Sequence, residues 1–222
     1  MLFGSCSSFK YYQPSANPAL FKNTGEVHVS GGLNSSGASL QGAVSVSNHV
    51  AILANYNGTL SNHNVNEGEV ALGYYDGDAS TALFVSGGLG FGKNFEYTDV
   101  SETKKSYEGD FIRPFVQLNG GITGGTIFGK LQGDLIGVMK VSYLKYDGFR
   151  NENPQDVIKS GYVTIEPTFV FAIGSPKLKF DFTFGFPTRP TFKRLNENTE
   201  ARTYPATIGF GMHFIFGRKS SK

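Results

Sequence analysis

Glu69, Arg113, Asp134, Lys140, Glu166, Lys179, Asp181 and His213 share one kind of position. Each sits among apolar residues that recur at every second place. Around Lys179 and Asp181 these are Leu178, Phe180, Phe182, Phe184 and Phe186. Around His213 they are Ile208, Phe210, Met212, Phe214 and Phe216. Side chains on a strand alternate between two faces, so ionisable groups from separate strands gather on one face. If the sheet closes, they converge on a lumen. Charges withdrawn from water must be paired and hydrogen-bonded. The first expectation is therefore a salt-bridge network filling a narrow lumen; the second is a polar pore or a small-ligand site.

Other chemistry finds less support. His28, His49, His63 and His213 have no metal-ligand spacing, and no metal or cofactor is expected. His213 should face inward and could meet Glu166 or Asp181. Ser142, also inward, could complete a hydrolase set, but no spacing selects these residues, and an enzyme is not expected. Gly124-Gly125-Thr126-Ile127-Phe128-Gly129-Lys130-Leu131 nearly matches a phosphate-binding loop. That loop needs Ser or Thr after its lysine and a helix beyond it; Leu131 and a strand pattern stand here instead. Gly88, Gly90, Gly92 and Lys93 lack a dinucleotide fingerprint's spacing and helix. These glycines read as relief of crowding inside a closed sheet.

The elements that hold these residues are strands. The chain has 222 residues, with 29 Gly, 20 Phe and 11 Tyr, which suits one all-β domain. The net charge of +2 gives no electrostatic case for nucleic acid. No apolar run reaches the roughly 18 residues of a transmembrane helix, but a barrel strand needs only about 9–11 alternating residues. Alternation begins at Gly25 and recurs to Phe216, giving about ten strands. Pro114 should mark a bulge or edge-like irregularity, and Gly120–Lys130 reads as a bent turn or as continued pairing. Tyr56, Tyr74 and Tyr143 fall near strand ends, as an interfacial belt would.

The connections alternate in character. Ser47-Asn48, Asp76–Ser80 and Gly174–Pro176 are short, whereas Leu60–Glu67, Thr98–Asp110, Asp147–Ser160 and Thr188–Arg202 are long and polar. Outer-membrane barrels have short periplasmic turns and long external loops. The expected fold is a closed antiparallel up-and-down transmembrane β-barrel of about ten strands. An even strand number puts both termini on one side, the periplasm. A soluble lipocalin-like barrel, with its aromatic rows turned inward, is the fold-level rival.

The closing stretch Thr207–Gly217 resembles the C-terminal signal by which outer-membrane barrels are recognised for assembly, though residues follow Phe216. Leu2-Phe3-Gly4-Ser5-Cys6-Ser7-Ser8 resembles the end of a bacterial lipoprotein signal peptide, without its charged start and longer apolar core. The chain as a whole resembles small outer-membrane β-barrel proteins of Gram-negative bacteria, in lipoprotein form. That resemblance implies lipidation at Cys6, a remnant and tether over residues 1–24, a barrel over 25–217 and a basic tail over 218–222. It implies an outer-membrane location, membrane lipids as surroundings and an envelope protein as partner. The role implied is structural or that of an accessory subunit; the alternative is a small pore or ligand carrier, with a membrane-embedded hydrolase less favoured.

Overall fold

Alternation becomes ladder wherever an apolar row can face one way and a polar row the other. The computed structural model describes residues 10–11, 16–35, 37–59, 64–78, 80–100, 103–129, 131–150, 157–158, 161–186, 202–203 and 206–217. Ten antiparallel strands follow one another around a closed barrel. They are β1 (Val27–Asn34), β2 (Gly37–Ser45), β3 (Val50–Gly58), β4 (Asn64–Gly77), β5 (Thr81–Val100), β6 (Thr103–Phe128), β7 (Leu131–Arg150), β8 (Gly161–Gly174), β9 (Leu178–Gly185) and β10 (Thr207–Phe216). Closure comes from β10 against β1, with Phe210 opposite Leu33 and Phe216 opposite Val27.

The phenylalanine rows face outward. Phe180, Phe182, Phe184, Phe186, Phe210 and Phe216 are all exposed, and so are Leu72, Val116, Leu135 and Phe169 on other strands. Phe182 lies opposite Phe210, with ring centroids 5.5 Å apart. Glu69, Arg113, Lys140, Glu166 and Lys179 are buried on the inner face. An apolar outside around a charged inside reverses the arrangement of a lipocalin-like barrel. It is the distribution of a barrel that crosses a bilayer. Among the described residues no helix is long and apolar enough to cross a membrane.

The long connections are shorter than the sequence suggests, because strands invade them. β4 begins at Asn64, inside the expected loop Leu60–Glu67. β5 and β6 pair as far as Val100 opposite Thr103, through most of Thr98–Asp110. β7 runs to Arg150, where Val157–Ile158 pair back onto it. β5, β6 and β7 have 20, 26 and 20 residues, about twice what hydrocarbon requires. Outside lipid a hairpin needs no apolar face, so charged sequence carries the ladder on. Lys93 and Asp110 form an exposed ion pair of 3.7 Å just past the apolar row. Thr188–Arg202 falls largely outside the described residues, as do Cys6 and the tail 218–222.

Pro114 does not create a bulge. Ile112 opposite Lys145 and Phe115 opposite Ser142 keep one register, and the ladder to β7 only lapses at Arg113 and Pro114. The bulges lie elsewhere, between Glu108 and Asp110, Ile122 and Gly125, and Thr126 and Phe128. Gly120–Phe128 thus continues β6, and Gly124 takes a φ of 80°, which suits glycine.

The largest departure from expectation is the tether. Residues Ala16–Phe21 do not lie outside the barrel but are buried within it; Phe21 is 0% exposed. Gly25 and Glu26 then bond to Ser45, at the short-turn rim. Lys10–Tyr11 pair in parallel with Arg202–Thr203, in the β9–β10 connection at the opposite rim. The chain therefore runs through the lumen before β1 begins. The expectation that both termini share one rim counted strands alone and did not include this segment; the first and last residues lie outside the described residues.

Asp78 closes the β4–β5 turn. Its carboxylate accepts N–H bonds from Thr81 at 2.7 Å and Ser80 at 2.8 Å. These bonds, that of Thr81 foremost, lower its pKa from 3.8 to about 2. A depressed carboxylate stabilises the fold above its unfolded pKa and stops doing so as pH falls through its folded one. Asp78→Ala should therefore destabilise the barrel at pH 7, and the gap to the parent should close as pH falls from 3.8 to about 2. Urea unfolding across that range checks it. On the outer wall, Phe182→Arg should cost roughly 2–4 kcal/mol in vesicles, read by urea titration and heat-modifiable gel mobility.

Candidate functional site

The inner wall is the candidate site, and its side chains come together in two ionic groups. In the first, Arg113 projects from β6 and is fully buried. Its Nε donates to Glu67 at 2.7 Å, its Nη1 to Glu166 at 3.3 Å and its Nη2 to Glu69. Lys140 from β7 also donates to Glu69 and sits 4.1 Å from the centroid of the Phe115 ring. Asn55 donates to the other oxygen of Glu69 at 2.8 Å. Two cations thus face three carboxylates, from β4, β6, β7 and β8. Guanidinium suits this place because its planar fork serves several carboxylates at once.

The second group joins β7, β9, β10 and β1. Lys179 donates to Asp134 at 2.5 Å. Asp134 also accepts the Gly124 N–H at 2.7 Å, so the bulge of β6 is tied to the same carboxylate. His213 lies 3.9 Å from Asp181 and 2.9 Å from His28. His28 lies 3.4 Å from Glu26. Two imidazoles therefore stand in series between two carboxylates.

The eight ionisable residues assigned to the lumen from sequence are all buried there, and the described contacts place them in two groups. Glu69, Arg113, Lys140 and Glu166 belong to the first group. Asp134, Lys179, Asp181 and His213 belong to the second. Sequence reasoning missed Glu67, which it assigned to a loop. The signal was there, since Glu67 continues the two-residue period of Glu69. It also left Glu26, just before β1, and His28 out of the inward set.

Glycines on β5 make room for the first group. A Cβ on Gly90 would lie 2.6 Å from the Glu67 carboxylate, and one on Gly88 2.6 Å from the Phe115 ring. A Cβ on Gly92 would lie 2.7 Å from the Phe111 ring. The dinucleotide-like spacing is thus a row of spaces for bulky neighbours. The phosphate-loop-like run is the end of β6 and its turn into β7.

The Ser–His–acid arrangement is not assembled. Ser142 bonds Thr164 at 2.6 Å and Glu166 at 3.4 Å, and no imidazole. Thr164 donates to the same Glu166 oxygen at 2.7 Å. Among the described residues no group of three His, Cys, Asp or Glu could hold a metal ion.

Ala16–Phe21 is also buried in the lumen. Gln117 and Asn119 from β6 donate to the Asn17 carbonyl at 2.9 and 2.8 Å. Asn119 also donates to the Ala19 carbonyl at 3.0 Å, and Gln41 from β2 to the Ala16 carbonyl at 3.1 Å. The Asn17 side chain donates to Asn55 at 2.8 Å. Phe21 packs against His28, Tyr75 and Phe84, with centroids at 4.8, 5.3 and 5.7 Å. Leu20 joins the same apolar cluster with Ala51, Leu53 and Ala71. The sequence signal was Pro18-Ala19-Leu20-Phe21, an apolar cluster in a polar leader that would be costly to leave in water.

No family model matches the chain, and no curated protein matches it. Among solved structures it is similar to OmpT (in-vitro folded), an outer membrane protein of Vibrio cholerae. Identity is 9%, the TM-score is 0.24, and the match covers 86% of this chain and 96% of that one. A score that low carries no weight, and the fold rests on the strand pairing.

Arg113 is the cation on which three glutamates depend. Arg113→Met should destabilise the barrel by about 3–5 kcal/mol, because it strands buried carboxylates. Adding Glu67→Gln and Glu166→Gln should recover part of that loss. Urea midpoints of the single and triple variants in one detergent check both.

Proposed function

We propose that the protein is a sealed outer-membrane β-barrel lipoprotein of a Gram-negative envelope, serving as a structural or accessory subunit. The observation that carries this reading is the filled lumen. Arg113, Lys140 and Lys179 are paired to wall carboxylates, and Ala16–Phe21 is buried beside them. Among the described residues a cavity of about 40 Å³ lies beside Ala16 and Pro18, lined by Ser30, Gln41 and Asp181 among others. That cavity has room for a water or two.

With the short-turn rim in the periplasm, as in outer-membrane barrels, the extended β5–β6 hairpin and β7 project outward. Their polar ends form the surface an envelope partner would meet. Lys10–Tyr11 pair with the β9–β10 connection at that rim, and lipidation at Cys6 would add a lipid anchor to the chain. The second reading, a small pore or ligand carrier, draws on the charged inner wall. The paired state of Arg113, Lys140 and Lys179 weighs against it, since each already serves a carboxylate.

In planar bilayers the full chain should give no steady single-channel current. A reproducible open level would overturn the sealed reading in favour of the pore. Extraction in mild detergent should recover a stoichiometric envelope protein; recovery of the barrel alone would remove the accessory role.

A further inference from the structure

The contacts that hold Ala16–Phe21 divide into two kinds. Gln41, Gln117 and Asn119 all donate to main-chain carbonyls, those of Ala16, Asn17 and Ala19. Such contacts hold a backbone whatever its side chains. Three positions are read by side chain, and of these Leu20 packs with Ala51, Leu53 and Ala71. Asn17 donates to Asn55 and, at 3.4 Å, to the Gly42 carbonyl, while accepting the Ala19 N–H at 3.1 Å. Phe21 enters a socket walled by His28, Tyr75 and Phe84. Tyr75 is itself held by its hydroxyl, which donates to the Ser47 carbonyl at 2.7 Å. Donors for the main chain, an amide pocket and an aromatic pocket four residues further along are the parts of a peptide-binding site.

We propose that the inner wall is a peptide-binding site for a segment of the pattern Asn-Pro-x-Leu-Phe, turned at its asparagine, and that residues 16–21 are its resident ligand. The site belongs to the wall and not to the covalent link. β2, β3 and β6 present Gln41, Asn55, Gln117 and Asn119; β1, β4 and β5 present the aromatic socket. The site therefore accepts the same segment supplied as a separate molecule once the resident is removed. The full chain excludes it, because a ligand joined through the short link Lys22–Glu26 has an effective concentration on the order of mM. This inference rests on the sealed-barrel reading only for its account of why the lumen is closed.

The test uses a barrel lacking residues 1–21, folded in detergent, and a fluorescent peptide spanning Ser15–Asn23. Anisotropy should show saturable binding to the truncated barrel and none to the full chain. Peptides carrying Asn17→Ala or Phe21→Ala should bind at least tenfold more weakly. Failure of the folded truncated barrel to bind overturns the proposal, as does equal binding of the substituted peptides. If the truncated barrel does not fold, the full chain with Asn17→Ala and Phe21→Ala takes its place. It should take up the unsubstituted peptide, and exclusion of that peptide overturns the proposal. The two readings fail separately. A silent full chain with no peptide binding rejects the site and leaves the seal; a conducting full chain with specific peptide binding does the reverse.

Discussion

A backbone amide in hydrocarbon has no water to bond, so every strand of a membrane wall must be flanked on both sides. The β10–β1 ladder meets that requirement for the two strands that would otherwise be edges. Each further property depends on it. Only a closed wall gives the outward rows an unbroken apolar surface, and only a closed wall makes an interior in which ionic groups can be kept from lipid. The close approach at the seam is made by small residues. A Cβ on Gly32 would come within 2.8 Å of the Phe210 carbonyl oxygen.

Closure creates a second demand inside. Alternation turns most of the large apolar residues to lipid and leaves the inner face with the charged and amide side chains beside a smaller apolar cluster around Leu53, Tyr75 and Phe84. Carboxylates and cations therefore meet across the lumen. Arg113 faces Glu67, Glu69 and Glu166, and Lys179 faces Asp134. The glycines of β5 yield volume where Arg113, Phe111 and Phe115 need it. The segment before β1 is buried beside the ionic groups, and its carbonyls find amide donors already in place on β2 and β6.

Period-two patterning made the wall legible in the sequence. It identified the outward row from Phe180 to Phe186, the inward set from Glu69 to His213 and the number of strands. It did not reveal where strands stop. Beyond lipid a ladder is held by backbone bonds alone, so Thr98–Asp110 could be polar and still paired. It did not reveal which charges meet, because Arg113 and Glu67 are distant in sequence and joined only by register and barrel curvature. Ala16–Phe21 was invisible for a different reason. A segment enclosed on every side has no face to alternate, and its only trace is apolar residues where a solvated leader would have none.

The order of elements along the lumen also fixes how the molecule bears force. A pull on Ala16 toward the rim of the β9–β10 connection is carried through the lumen to Phe21. That ring lies below the amide donors, and behind it the cord is knotted to the wall through β1. Drawing it upward would drag an aromatic ring past Gln117 and Asn119 and then peel the seam strand. The protein is thus its own stopper on its own cord, and anything attached at that end is moored to the full hydrogen-bonded girth of the wall.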